Sequence, residues 1–140
     1  MLSIYPAIFY KKKDGYSVIF PDLNYLSTCG ENLNDAMEMA IDCLAGYLYA
    51  AKLDDDKLPE PSKIDDIHPI DIANTIRFGG KDSFINLISV DLEDYAKTHF
   101  NKSVKKTLTI PEWLNREATK KNINFSKVLQ EALIAKLRSL

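Results

Sequence analysis

Apolar and polar positions near the start of the chain alternate in short runs that turn-forming residues interrupt, and this pattern predicts strands. Residues 2 to 10 mix Ile4, Ile8 and Phe9 with two tyrosines, and residues 16 to 20 read Tyr-Ser-Val-Ile-Phe, both rich in β-formers. Asp14-Gly15 between them predicts a type I′ hairpin turn, whose two central residues need positive φ. Pro21 closes the second strand, and a third short strand fits Tyr25 to Cys29. From Asn32 the period lengthens: Leu33, Ala36, Met37, Ala40, Ile41, Leu44, Ala45 and Leu48 recur at helical spacing, which predicts an amphipathic helix to about Lys52. Asn32 is placed to cap it, with Asp35 completing a capping-box-like exchange.

Residues 54 to 82 read as a surface excursion with a short turn of helix at most. Asp54-Asp55-Asp56, Pro59-Glu60-Pro61, His68-Pro69 and Gly79-Gly80 are all breaker chemistry. Ser83 to Val90 is apolar on both parities, the pattern of a strand buried on both faces. The order is thus β-β-β-α-β, and because the last strand follows a helix, a right-handed crossover laying it parallel to a meander strand is expected. Residues 91 to 100 read as a linker or short helix.

From Ser103 the pattern changes again. Leu108 and Ile110 share one strand face, while Lys105, Thr107 and Thr109 share the other. Pro111 suits the first position of a helix, Leu114 and Ala118 give that helix an apolar side, and Asn122 can end it in the left-handed conformation. A second helix, capped by Asn124 or Ser126, carries an apolar stripe of Phe125, Val128, Leu129, Ala132, Leu133 and Leu137.

Charge divides the chain near residue 97. Residues 1 to 96 hold 8 Lys and Arg against 17 Asp and Glu, whereas residues 97 to 140 hold 10 against 3. A near-neutral total of −2 therefore hides an acidic segment and a basic one, the distribution expected when one end meets a polyanion. Cys29 and Cys43 lack the spacing of a zinc site or a disulfide framework and read as buried, reduced thiols. No cofactor or metal is expected. The first residues lack a basic region ahead of an apolar run, and no stretch approaches the roughly 20 apolar residues that span a bilayer, so a cytoplasmic location is expected.

One strand and two short helices cannot build a self-sufficient core, and the lone strand leaves its edge unpaired. Both problems vanish if two chains pair their strands antiparallel about a two-fold axis, and the resulting β-ribbon has a shape that the DNA major groove admits. Ser103 to Leu140 resembles the ribbon-helix-helix repressors of the Arc, MetJ and CopG kind. The resemblance implies base reading by Lys105, Thr107 and Thr109. It also implies phosphate binding at the second helix's N-terminus by Asn124, Phe125 and Ser126, with Lys102, Lys106 and Lys127 adding backbone attraction. The plain alternative is that the three strand residues form an ordinary solvated face.

Residues 1 to about 63 resemble the HicB antitoxins, through Tyr5-Pro6-Ala7, Asp14-Gly15-Tyr16-Ser17-Val18, Phe20-Pro21-Asp22-Leu23, Gly30-Glu31, Ala36 and Pro59-Glu60-Pro61-Ser62. Where relatives often continue Pro-Gly-Cys after that Asp-Leu pair, this chain has Asn24-Tyr25-Leu26. The resemblance implies an α+β protein: a partial ribonuclease H-like head over residues 1–96 that binds HicA, a small mRNA-cleaving toxin, and a linker with a dimerising, DNA-binding ribbon-helix-helix over 97–140. The implied function is an antitoxin that neutralises the toxin directly and represses its own operon at operator double-stranded DNA, as a homodimer or a larger even-numbered oligomer. Asp22, Tyr25 and Glu31 are the candidate toxin contacts, against a plainer role as turn and cap residues. No enzymatic role is expected, because the carboxylates of Asp14, Asp22 and Asp54 to Asp56 form no convergent metal-binding set and His68 and His99 lack legible partners. The rival readings are a stand-alone repressor with a ligand-sensing or oligomerising head, and a divergent nuclease.

Overall fold

Strand β1 (Leu2–Lys12) carries six consecutive buried residues, Tyr5 to Tyr10, a pattern that only a strand covered on both faces can hold. The computed structural model, which describes residues 1–79, 82–100 and 103–140, shows what covers it. Strands β2 (Gly15–Phe20), β3 (Leu26–Gly30) and β4 (Ser83–Asp91) join β1 in one antiparallel sheet of order β3-β2-β1-β4. Helix α1 (Leu33–Leu53) packs Ala36, Ala40, Leu44 and Leu48 against Tyr5, Ala7, Phe9, Val18 and Phe20 on one face. Ile67 and α2 (Pro69–Thr75) cover Ile8, Tyr10 and Ile19 on the other, where the Tyr10 hydroxyl donates to the Pro69 carbonyl at 2.7 Å.

Several expectations need correction. Strand β4 runs antiparallel to β1, not parallel, because the excursion crosses the second face and delivers the chain to the far end of β1, where the Lys11 amide donates to the Asp82 carbonyl at 2.8 Å. The excursion holds a two-turn helix, α2, because β1 needs its second cover. Being an edge strand, β4 is not buried on both faces: Ile88 and Val90 are buried, while Phe84 and Leu87 are exposed. Cys29 is exposed too, on the face of edge strand β3 that α2 does not reach, and Cys43 is half-buried with its thiol pushed up by burial.

The first hairpin turns through Lys13 and Asp14, neither of them left-handed; Gly15 (φ 136°) opens β2 opposite Lys12. Glycine is required there because a Cβ would sit 2.1 Å from the Gly30 carbonyl oxygen. The left-handed pair lies instead at Asn24 and Tyr25 (φ 56° and 58°), where the Leu26 amide donates to the Leu23 carbonyl at 3.0 Å in a type I′ turn. Asn32 caps α1 through the Asp35 amide, but the Asp35 carboxylate returns to the Glu31 amide rather than to that of Asn32.

Helix α3 (Leu92–His99), capped by Asp91, docks on α1: the Tyr95 hydroxyl donates to the Asp42 carboxylate, and Phe100 lies 4.6 Å from the Tyr49 ring. Loss of water and the Asp42 charge push the Tyr95 phenol up to about 12. This docking moves the boundary from the expected residue 97 to 103, leaving Met1–Lys102 and Ser103–Leu140 as two units.

In the second unit, α4 (Glu112–Lys120) follows Pro111, which occupies the cap rather than the first helical position, and α5 (Phe125–Arg138) is capped by Asn124. Asn122 (φ 53°) ends α4 as expected, with the Ile123 amide returning to the Ala118 carbonyl at 3.1 Å. Residues 103–110 form no hydrogen-bonded strand in this chain; strand pairing needs a partner, and the unit supplies none from its own residues.

A second close backbone approach is β3 against α1, where a Cβ on Gly30 would lie 2.3 Å from the Ala36 amide nitrogen. Gly30→Ala is therefore expected to cost about 1–3 kcal/mol, the usual penalty of overpacking. Urea unfolding followed by circular dichroism reads it, and an unchanged midpoint would show that β3 and α1 can separate freely.

Candidate functional site

Four hydrogen bonds build a cleft on the head. The segment after α1 runs back along the sheet as a proline-bounded strap, Pro59-Glu60-Pro61-Ser62. The buried Tyr5 donates to the Pro59 carbonyl at 2.7 Å, and the Asp22 carboxylate accepts from both the amide and the hydroxyl of Ser62, at 2.9 and 2.5 Å. Across from the strap, the Asn24 side-chain amide donates to the Tyr47 hydroxyl of α1 at 3.0 Å. Between them lies an open cavity of about 580 Å³ lined by Asp22, Asn24, Tyr47, Lys57, Leu58 and Glu60 among others. Its charge is mainly acidic. Burial first, then the charges of Glu60 and Asp22, raise the Tyr5 phenol and keep it protonated as a donor to the strap.

The three residues expected to meet a partner are not brought together. Asp22 is half-buried and tied to Ser62, so it holds the strap; Tyr25 is 43 % exposed at the tip of the β2–β3 turn; Glu31 lies beyond the opposite end of β3, with its amide bound to Asp35. Sequence reading missed Asn24, Tyr47 and Ser62. Ser62 had a signal, because it ends the Pro-Glu-Pro-Ser run, but its bond to a residue 40 positions away leaves no local trace.

On the second unit, Asn124 accepts the Lys127 amide at 3.1 Å. That leaves the amides of Phe125 and Ser126, which no preceding turn can pair, directed out of the helix N-terminus. Lys105, Lys106, Thr107 and Thr109 are exposed, and Lys102 lies outside the described residues. The apolar side chains are exposed as well: no residue between 103 and 140 is buried, although the segment holds Val104, Leu108, Ile110, Trp113, Leu133 and Leu137. Among the described residues, no group of three or more His, Cys, Asp or Glu is placed to hold a metal ion, and no helix is long and apolar enough to cross a membrane.

The chain is similar to known proteins along most of its length. The family model described as a HicB-like antitoxin of bacterial toxin-antitoxin systems matches residues 5–135. A chain of a toxin-antitoxin complex from Streptococcus pneumoniae is 32% identical and superposes with a TM-score of 0.63, covering 97% of this chain and 99% of that one. An uncharacterized 14.9 kDa protein from the rep-hol intergenic region of Haemophilus phage HP1 is 29% identical over 112 residues, 79% of this chain and 75% of that protein.

Tyr25 holds a left-handed conformation that costs an L-residue with a bulky side chain roughly 1–2 kcal/mol. Tyr25→Gly should therefore leave stability unchanged or raise it by up to about 1 kcal/mol, after the greater entropy loss of glycine is counted. Thermal unfolding reads the difference; a marked fall in melting temperature would mean that the ring, not the backbone, secures the turn.

Proposed function

The chain belongs to the HicB-like antitoxins of bacterial toxin-antitoxin systems, and from that premise we propose that its head neutralises a HicA-like mRNA-cleaving toxin by direct binding while its C-terminal unit represses the operon as a DNA-bound dimer. The antitoxin role is one of binding, not catalysis. The head, with its order β1-β2-β3-α1-α2-β4, is read as a partial ribonuclease H-like domain, and an excess of acid over base favours encounter with a toxin basic enough to hold RNA. Similarity to a chain of a toxin-antitoxin complex supports the toxin partner. Tyr25, exposed on the turn beside the cleft, is the contact best placed among the expected three.

The observation that carries the DNA-binding half is the C-terminal unit with nothing buried. A 38-residue segment from 103 to 140 that exposes most of the apolar stripe of α5 cannot be stable as it stands. A second copy, interlocked with the first as a ribbon-helix-helix, would bury that stripe, and Leu108 and Ile110 of the paired strands would join it. Lys105, Thr107 and Thr109 then face outward from the ribbon, where threonine can pack on a thymine methyl and lysine can donate to guanine. The free amides at the α5 N-terminus, with Lys106 and Lys127 nearby in sequence, supply phosphate contacts.

Two experiments test the halves separately. Expression of the short reading frame beside this gene should arrest growth, and co-expression of the full chain should restore it. A harmless neighbour that does not co-purify removes the toxin half and leaves a stand-alone repressor. For the DNA half, alanine at Lys105, Thr107 or Thr109 should each cost about 1–3 kcal/mol of operator affinity in gel-shift titrations, whereas Lys127→Ala should weaken binding alike on all sequences and reduce the salt slope by about one. Equal loss on operator and random DNA from the strand variants would assign the ribbon face to solvent.

A further inference from the structure

We infer that α3 is a releasable clasp, whose docking on α1 sets the length of free chain between the head and the C-terminal unit. Its eight residues are too few to hold a helix in water, where isolated helices shorter than about 12–15 residues are marginal. Docking must therefore supply the stability, and the docking is thin. No residue of α3 is buried, and only Leu92 and Tyr95, with Phe100 just beyond the helix, pack against the core. Among the described residues, one side-chain hydrogen bond joins α3 to α1, from the Tyr95 hydroxyl to the exposed Asp42 carboxylate, and Phe100 adds a ring contact with Tyr49 at 4.6 Å. Other contacts of α3 are internal: Lys97 pairs with Asp94 at 3.9 Å, and His99 stacks on Tyr95 with ring centroids 3.9 Å apart. They do nothing to hold the helix on α1.

The sheet fixes the point at which the clasp lets go. Asp91 pairs with Leu2 at the end of β4 and accepts the Asp94 amide at 3.3 Å, so the chain is anchored as far as Asp91 and free beyond it once α3 undocks. Eight residues span about 12 Å as a helix and up to roughly 26–29 Å extended, so release adds about 15 Å of reach. The core offers no comparable opening: β1 buries Tyr5 to Tyr10 between two covers, and parting it unfolds the head. The added length is large on the scale of charge repulsion. Met1–Lys102 holds 17 acidic against 10 basic residues, and keeping it beside a polyanion costs energy that fades over a Debye length of about 8 Å at physiological salt. With DNA held by the C-terminal unit, an open clasp would let the head stand clear of the duplex, and a closed one would oppose binding. That use of the clasp rests on the proposed DNA-binding reading; the clasp itself does not.

Native-state hydrogen exchange of the full chain tests the clasp. The α3 amides should be protected, yet exchange at least a hundredfold faster than those of α1, because they open without global unfolding. Tyr95→Phe should speed α3 exchange about fivefold, the worth of one hydrogen bond, and Phe100→Ala about tenfold, with α1 and β1 unchanged in both. Amides of α3 that exchange as slowly as those of α1 overturn the inference, as does exchange that neither variant accelerates. Gel-shift titrations on duplex DNA from immediately upstream of the gene read the use of the clasp. At low salt Tyr95→Phe should bind up to about fivefold more tightly than wild type, an advantage that vanishes at high salt. Equal affinities at low salt would show that release is not coupled to DNA. If wild type shifts no DNA at any salt, the DNA-binding reading falls, and the exchange result decides the clasp by itself.

Discussion

The head depends on one requirement, that β1 be covered on both faces. Tyr5, Ala7 and Phe9 point to one side, Ile8 and Tyr10 to the other, and leaving either set wet would forfeit roughly 1.5–3 kcal/mol for each large side chain. Helix α1 meets half of this demand. The other half falls to the segment between α1 and β4, which must travel under the sheet and place Ile67 and α2 against the second face. That path explains the antiparallel arrival of β4. It also brings the strap past Tyr5 and Asp22, and the cleft beside Tyr47 is the gap left where the strap turns away from α1.

Features of the fold fixed within a few residues were legible in the sequence. The Asn32 cap, the apolar stripe of α1, the stop at Pro21 and the left-handed Asn122 each follow from chemistry that acts over one or two turns. Features fixed by distant partners were not. Gly15 is dictated by the Gly30 carbonyl across the sheet, and the Asp22–Ser62 clasp joins positions 40 apart. The apolar run of β4 read as fully buried because hydrophobicity alone cannot distinguish a central strand from an edge strand. Cys29 went astray for a related reason, since free cysteine is usually buried and only the limited reach of α2 leaves this one exposed.

For the candidate sites, the sequence identified residue types better than their arrangement. Asp22 and Tyr25 lie at one end of β3 and Glu31 at the other, a separation set by strand direction, which spacing along the chain does not encode. Asp22 has its carboxylate bound to Ser62, a role in the fold that the residues around it do not reveal. The proposed outward positions Lys105, Thr107 and Thr109 rest only on a period of two, which the order of residues carries by itself.

The two units solve the same energetic problem in opposite ways, and the difference bears on the proposal that a single chain serves two partners. The head closes its core within one chain, so it can present a preformed surface whatever its oligomeric state. The C-terminal unit leaves most of its apolar stripe exposed, and in the proposed dimer it would gain its core from association, which would tie DNA binding to protein concentration. Charge keeps the roles apart. A head with 17 acidic against 10 basic residues is repelled by a polyanion, and a tail with 8 basic against 3 acidic is drawn to one, so that on the proposed reading each end would be biased toward the partner the other would reject.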